Sequence, residues 1–351
     1  MIVVSAPGKI HVSGEHSVVY GQPALLASVE KRVRVFGKII SEDKIFFYDK
    51  NKCKKKVWDY SKIETFTNWA QDKWEKFVET GDITYLASIK KDEWSLPKIS
   101  IGYTYQFLQK KPKKGISLEL HSDLPIGAGM GSSAATAVAL VGAIFCLEKQ
   151  PWDLEKINKI AYEIEKKMHG FPSGGDNTVI VYGGILKCQK KKNKINIKNL
   201  VITKDIPELI LINSGQAQES TAHMVEKVHG NYMREQARFQ EIFFQMGQVT
   251  EDIVTCLQQG ALETFGEIIT KNQYYLEQLG LVGKKAKNII KLIEKNGGFA
   301  KICGAGGCKK GSGVILAYHT NLPKLVDVLK EQNIIFFKFL VSQKGVMREH
   351  V

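Results

Sequence analysis

One segment constrains the fold of this chain more than any other: Pro125-Ile126-Gly127-Ala128-Gly129-Met130-Gly131-Ser132-Ser133-Ala134-Ala135. Before it, residues 116–121 alternate in the manner of a strand, and after it an alanine-rich run beginning near Ser132 reads as a helix. A strand, a glycine loop and a helix therefore follow in order. Glycines let a backbone approach an anion closely, and the first turn of the helix offers unpaired amides and the positive end of its dipole. Such a loop can hold phosphate, or it can simply pack a helix onto a sheet. The two serines tilt the reading toward phosphate, since their hydroxyls can cap the helix or reach a metal. It is not a Walker P-loop, because GxxxxGK followed by Ser or Thr is absent here.

At 351 residues the chain has room for about two domains of roughly 150 each, without disulfide or metal staples. Its 44% hydrophobic and 25% charged residues exclude disorder, collagen and a simple coiled coil. The longest apolar stretch, residues 134–147, falls short of the roughly 20 residues of a membrane helix. The first residues lack the basic and long apolar regions of a secretory signal, so the expected compartment is the cytoplasm. Six cysteines at 53, 146, 188, 256, 303 and 308 form no CxxC pair and read as reduced thiols. A net charge of +14 favours anionic partners. The short lysine runs (54–56, 90–91, 113–114, 190–192) read as solvated surface, and no nucleic-acid motif accompanies them.

Residues 2–6, 24–28 and 33–40 read as strands, with a turn-rich loop carrying Lys9, Glu15 and His16 between the first two. Residues 41–98 read as a surface excursion around one helix at 68–79. A helix at 154–167 keeps Ile157, Ile160, Ala161 and Ile164 on one face and ends at a turn, 170–175. Strands are expected at 178–182, 184–188 and 208–213, with a domain boundary near Ile206, giving an N-terminal domain 1–205 and a C-terminal domain 206–351. Beyond it lie helices spaced by Phe239, Ile242, Phe243, Met246, Val249, Ile253 and Leu257. A glycine-rich turn at 304–313, a strand at 314–318, a helix at 322–332 and a last strand from Ile334 follow. Helices on one face of a mainly antiparallel sheet make this an α+β fold.

Three further residues stand out. Glu165 lies near the end of a helix and Asp176 on a tight turn, where carboxylates can hold a metal or face an acceptor hydroxyl. Equally, Asp176 can serve an Asx-turn and Glu165 a solvated helix face. Lys9, in Ala6-Pro7-Gly8-Lys9, would hold a nearby carboxylate ionised if the fold brings them together, or lie exposed in its loop.

Together these residues resemble the GHMP kinases, through APGKIHVSGEHSVVYGQPAL, PIGAGMGSSAA and KICGAGG in the family's order. Within that family GEHSVVYGQPAL and HGFPSGGDNTVIVYGG resemble the mevalonate kinase branch. The resemblance implies a two-domain fold, an N-terminal ribosomal-protein-S5-domain-2-like unit and a C-terminal ferredoxin-like α+β unit. It implies an ATP- and Mg2+-dependent kinase that phosphorylates the 5-hydroxyl of mevalonate, a small-molecule substrate, with homodimers common in the branch. Residue by residue, Asp176 would be the base or orienting carboxylate and Lys9 its partner, while Glu165 and Ser133 would ligate magnesium. Gly127, Ala128, Gly129, Met130, Gly131, Ser132 and Ser133 would wrap the triphosphate, with Ser122 also nucleotide-binding. Glu15, His16 and Thr221 would face the substrate. Another GHMP small-molecule kinase, acting on phosphomevalonate, a related derivative or a sugar, is the alternative, and a non-catalytic family member a third reading. The family's closing loop usually reads TGAGGGGC, whereas residues 303–313 are longer and more basic, so Lys309 and Lys310 either reach phosphates or are solvated.

Overall fold

The computed structural model describes residues 1–125, 127–191, 194–204 and 206–349. Ile126 of the glycine segment, Lys192 of one lysine run and residue 205, at the end of the expected first domain, lie outside the described residues. The chain opens with two long strands, β1 (Ile2–Ser13) and β2 (Pro23–Ile39), then β3 (Ile45–Asp49), β4 (Lys54–Trp58) and helices α1 (Tyr60–Thr80), α2 (Thr84–Lys90) and α3 (Ser95–Phe107). After β5 (Ile116–Ser122) come α4 (Ser132–Leu147), α5 (Leu154–His169), α6 (Gly175–Tyr182) and the hairpin β6 (Ile185–Lys191) and β7 (Lys194–Asn199). The remainder runs β8 (Leu209–Asn213), α7 (Thr221–Arg234), α8 (Gln236–Gln259), α9 (Phe265–Gln278), α10 (Lys284–Lys295), β9 (Phe299–Ile302), β10 (Val314–Tyr318), α11 (Leu322–Glu331), β11 (Phe336–Lys338) and β12 (Met347–Glu349).

Two sheets result. The first has the order β12-β1-β2-β5-β3-β4, with the β6–β7 hairpin also on β2, and all its pairs are antiparallel except β3 with β5. The second, β11-β8-β10-β9, is antiparallel throughout. Strands expected at 24–28 and 33–40 are the two halves of β2, which pair with β6 and β5 respectively.

Three expectations are corrected. Lys9 is not in a loop: β1 continues through it, with a register shift between Pro7 and Gly8 where a bulge tolerates proline. Residues 178–182 form not a strand but most of α6. Thr178, Val179, Ile180 and Val181 are all buried there, so packing overrides the β preference of the branched side chains. Nor is the stretch 41–98 a surface excursion. It adds β3 and β4 to the sheet, buries Ile63, Thr67, Ala70 and Phe77 from α1, and clusters Phe47, Trp58 and Trp94 with ring centroids 5.8–6.2 Å apart. Trp74 of α1 donates its indole N–H to the carbonyl of Gly170 at 3.2 Å, so this layer supports the turn after α5.

Helix α4 is the spine of the first unit. It is apolar on all sides and buried from Ala134 to Phe145, as an all-apolar helix must be. A second core joins the inner residues of β8, β9 and β10 to α7, α8, α10 and α11. Arg32 on β2 closes the first sheet onto the end of the chain. Buried, it donates to Ser5 Oγ at 2.9 Å, Ser342 Oγ at 2.8 Å and the carbonyl of Gly345 at 2.6 Å. Replacing Arg32 with Met leaves these acceptors unpaired and is expected to cost about 3 kcal/mol in urea denaturation. A loss below about 0.5 kcal/mol would show that the acceptors find other partners.

Candidate active site

The glycine loop is held from both sheets. The amide of Lys9 in β1 donates to Met130 O at 2.9 Å, and the amide of Val314 in β10 donates to Ala128 O at 3.0 Å. Ala128 and Met130 turn inward and are buried, while Gly127 and Gly129 face outward. Gly131 precedes α4 with φ 70°, and a Cβ there would come within 2.7 Å of Lys9 Cγ. Only glycine suits a left-handed position against which a lysine stem lies. Neither Ser132 nor Ser133 caps α4, and no other side chain among the described residues does so. The first-turn amides are therefore open to an anion. Beside the loop is a cleft of about 240 Å³ lined by Gly127, Gly129, Gln216, Thr221, Ala305 and Gly313 among others. Ser122 is engaged locally. Its hydroxyl accepts the Leu124 amide at 3.2 Å, and the Asn51 side chain clasps its backbone at 2.7 and 2.8 Å.

Behind the loop the fold joins residues far apart in sequence. Lys9 Nζ lies 2.8 Å from Asp176 Oδ2, the lysine buried and the aspartate one-third exposed at 33%. Asp176 occupies the first turn of α6, where the helix dipole also favours a carboxylate. Burial opposes its ionisation, but the charge and hydrogen bond of Lys9 outweigh it and hold the carboxyl below the ordinary range. His11 is half-buried, and its desolvation with the adjacent Lys9 pushes its pKa down to about 3. It is neutral, and its Nδ1 accepts from Lys9 Nζ at 3.2 Å.

Glu165 behaves oppositely. It is buried, not solvated, and burial together with the Asp176 charge raises its pKa to about 8, against the pull of Lys9, Lys90 and the Ser133 hydroxyl. Its Oε1 has no hydrogen-bond partner among the described residues. His169, exposed at the end of α5, stands 3.8 Å away.

Glu15 is buried in an ion pair with Lys301 of β9, and its Oε2 has no partner among the described residues. His16, at φ 59°, donates from Nε2 to the Ala305 carbonyl at 3.1 Å. Burial lowers the His16 pKa, consistent with a neutral ring. Thr221 opens α7 at the cleft and is exposed, while Ser220 caps that helix by accepting the His223 amide at 3.2 Å. Lys309 and Lys310 are exposed, and neither forms an ion pair among the described residues.

Residues 100–184 match the family described as GHMP kinases N terminal domain, and residues 253–308 match GHMP kinases C terminal. The mevalonate kinase of Mus musculus is 30% identical over 359 residues, covering 90% of this chain and 86% of the relative. The chain belongs to the mevalonate kinases of the GHMP family. A mevalonate kinase of Pyrococcus furiosus is also 30% identical, over 87% of this chain and 86% of its own length. The crystal structure of the Methanococcus jannaschii mevalonate kinase shares the fold at TM-score 0.76 and 24% identity, covering 97% of this chain and 98% of that one. That of the L. major mevalonate kinase in complex with R-mevalonate does so at TM-score 0.72 and 19% identity, over 96% and 95%. Membership in this kinase family implies ATP as the phosphoryl donor.

Sequence reading passed over His11 and Lys301. A lysine within the apolar strand Phe299-Ala300-Lys301-Ile302 was the available signal, since a charge in a buried strand demands a partner. His11 carried none, because its contact with Lys9 depends on the bulged strand.

Glu165 generates a pH test. Its carboxyl binds a proton more tightly folded than unfolded, so stability falls as pH rises from its ordinary 4.5 to about 8 and then levels off. Glu165→Gln removes this slope. Its melting temperature is expected to match that of the wild type near pH 4 and exceed it near pH 9. An unchanged difference between the two pH values would contradict the raised pKa.

Proposed function

We propose that the protein transfers the γ-phosphoryl group of ATP to the 5-hydroxyl of mevalonate, giving 5-phosphomevalonate. The observation that carries this reading is the Lys9–Asp176 ion pair, its lysine buried, behind a glycine loop tied to both sheets, in a chain 30% identical to mevalonate kinases over most of its length. The backbone of Gly127 to Ser133 and the first turn of α4 would cradle the triphosphate, with Ser122 at the nucleotide. Phosphoryl transfer has a loose transition state, so positioning and charge neutralisation carry most of the catalysis. Asp176, held ionised by Lys9, would accept a hydrogen bond from the acceptor hydroxyl and receive its proton. Lys9 would then stabilise negative charge on the oxygen that loses it. Glu15, His16 and Thr221 would face the acceptor.

Glu165 and Ser133 fit a magnesium ion. A buried carboxylate with an unpartnered oxygen, its pKa raised to about 8, is relieved by a cation, and hard oxygen donors suit Mg2+. Glu165 and Ser133 would supply only part of the ion's shell, the rest coming from phosphates and water. When bound, the ion would neutralise charge on the β- and γ-phosphates.

This reading also carries a division into domains at 205/206, with β12 returning to the first sheet. It carries a cytoplasmic location, a homodimer, and no nucleic-acid or membrane partner. No described helix is long and apolar enough to cross a membrane.

Coupled ADP release with Mg-ATP and a panel of mevalonate, phosphomevalonate, homoserine and galactose tests the substrate. Turnover on mevalonate alone is expected, and turnover on another alcohol without mevalonate would contradict it. Asp176→Asn should lower kcat by about 100-fold or more while leaving ATP affinity near normal. Near-wild-type turnover would remove Asp176 from the chemistry.

A further inference from the structure

Lys301 belongs to the second sheet, yet its side chain ends in the first unit. It is fully buried, at 0% exposure, within β9. Its ammonium pairs with Glu15 Oε1 and donates to the carbonyl of His11 at 3.4 Å. The ring of that same His11 accepts from Lys9, the partner of Asp176. One buried cation from the second sheet thus touches both the substrate-side carboxylate and the residue that steadies Lys9. Glu15 itself is only half satisfied, because Oε2 is buried and has no partner among the described residues. A carboxylate held by one oxygen, with the other buried and unpartnered among the described residues, has an acceptor position left to fill.

We propose that Lys301 is a positioning residue. From the second sheet it fixes the Glu15 carboxylate so that Oε2 meets a hydroxyl of the acceptor alcohol, and through His11 it keeps Lys9 in register with Asp176. This assignment rests on the functional reading above, in which Glu15 faces the acceptor. The Lys301 ammonium makes no hydrogen bond or ion pair with the glycine loop among the described residues, so its loss should be felt by the acceptor and by the chemical step rather than by ATP. Buried ion pairs can also be purely architectural. In that case loss of the lysine lowers the fraction of folded enzyme and leaves both Michaelis constants of the survivors unchanged.

The test is steady-state kinetics of the full chain carrying Lys301→Met, with the active fraction measured by ATP binding. The expected result is a KM for mevalonate raised about tenfold or more and a lowered kcat, with the KM for ATP within about twofold of wild type. Unchanged KM for mevalonate and unchanged kcat per active site would overturn the assignment, as would equal increases in both Michaelis constants. If Lys301→Met does not fold, Lys301→Gln, which keeps a donor for Glu15, is judged by the same readouts. Failure of both variants to fold would make Lys301 architectural and overturn the proposal. A wild-type enzyme silent on mevalonate would instead overturn the functional reading, and the assignment with it. Activity of the wild type therefore separates the two failures.

Discussion

Lys9 is buried, and a buried ammonium needs an opposite charge and filled hydrogen-bond positions to remain protonated. Asp176 supplies the charge at 2.8 Å and neutral His11 an acceptor at 3.2 Å. Much of the site's construction follows from satisfying this one cation. Gly131 lacks a side chain where the lysine stem passes, α6 presents Asp176 in its first turn, and β1 continues through a bulge to carry Lys9 inward. The Lys9 amide then holds the glycine loop, which the second sheet grips from its other side through Val314. The glycine loop and the Lys9–Asp176 pair are parts of one assembly, spanning both sheets.

Two carboxylates in this assembly are pushed in opposite directions by their surroundings. Asp176 has cationic and polar neighbours that overcome the cost of burial and keep it ionised. Glu165 has mostly burial and the charge of Asp176, and is raised to about 8. Divergent environments for paired acids commonly mark a division of labour. In the proposed function, one carboxylate takes a hydrogen bond and the other meets a cation.

Much of this is legible in the amino-acid sequence. Glycines between a strand and an alanine-rich helix have few alternatives, and α4 begins at Ser132 as its composition requires. Helix α5 was visible from the periodicity of Ile157, Ile160, Ala161 and Ile164. Burial of Glu165 was not visible, because flanking lysines resemble a solvated face although the residue itself is adjacent to the apolar stripe. The segment 178–182 misled for a related reason. Branched residues suit a strand, but a short helix enclosed on all sides accepts them too, and Gly174 and Asp176 start it as a helix. Residues 41–98 hid their role because their buried aromatics are scattered among charges without clear period. Contacts such as Lys301 with Glu15 or Lys9 with Asp176 depend on topology, which spacing alone does not reveal.

The most direct test of the central ion pair is a carboxyl-carbon NMR titration of Asp176 in the ligand-free enzyme, its resonance assigned by its absence from Asp176→Asn. The carboxyl is expected to titrate below its ordinary 3.8 in the wild type and to move upward in Lys9→Met. Titration at or above 3.8 in the wild type, unmoved by loss of Lys9, would contradict an Asp176 held ionised by that lysine.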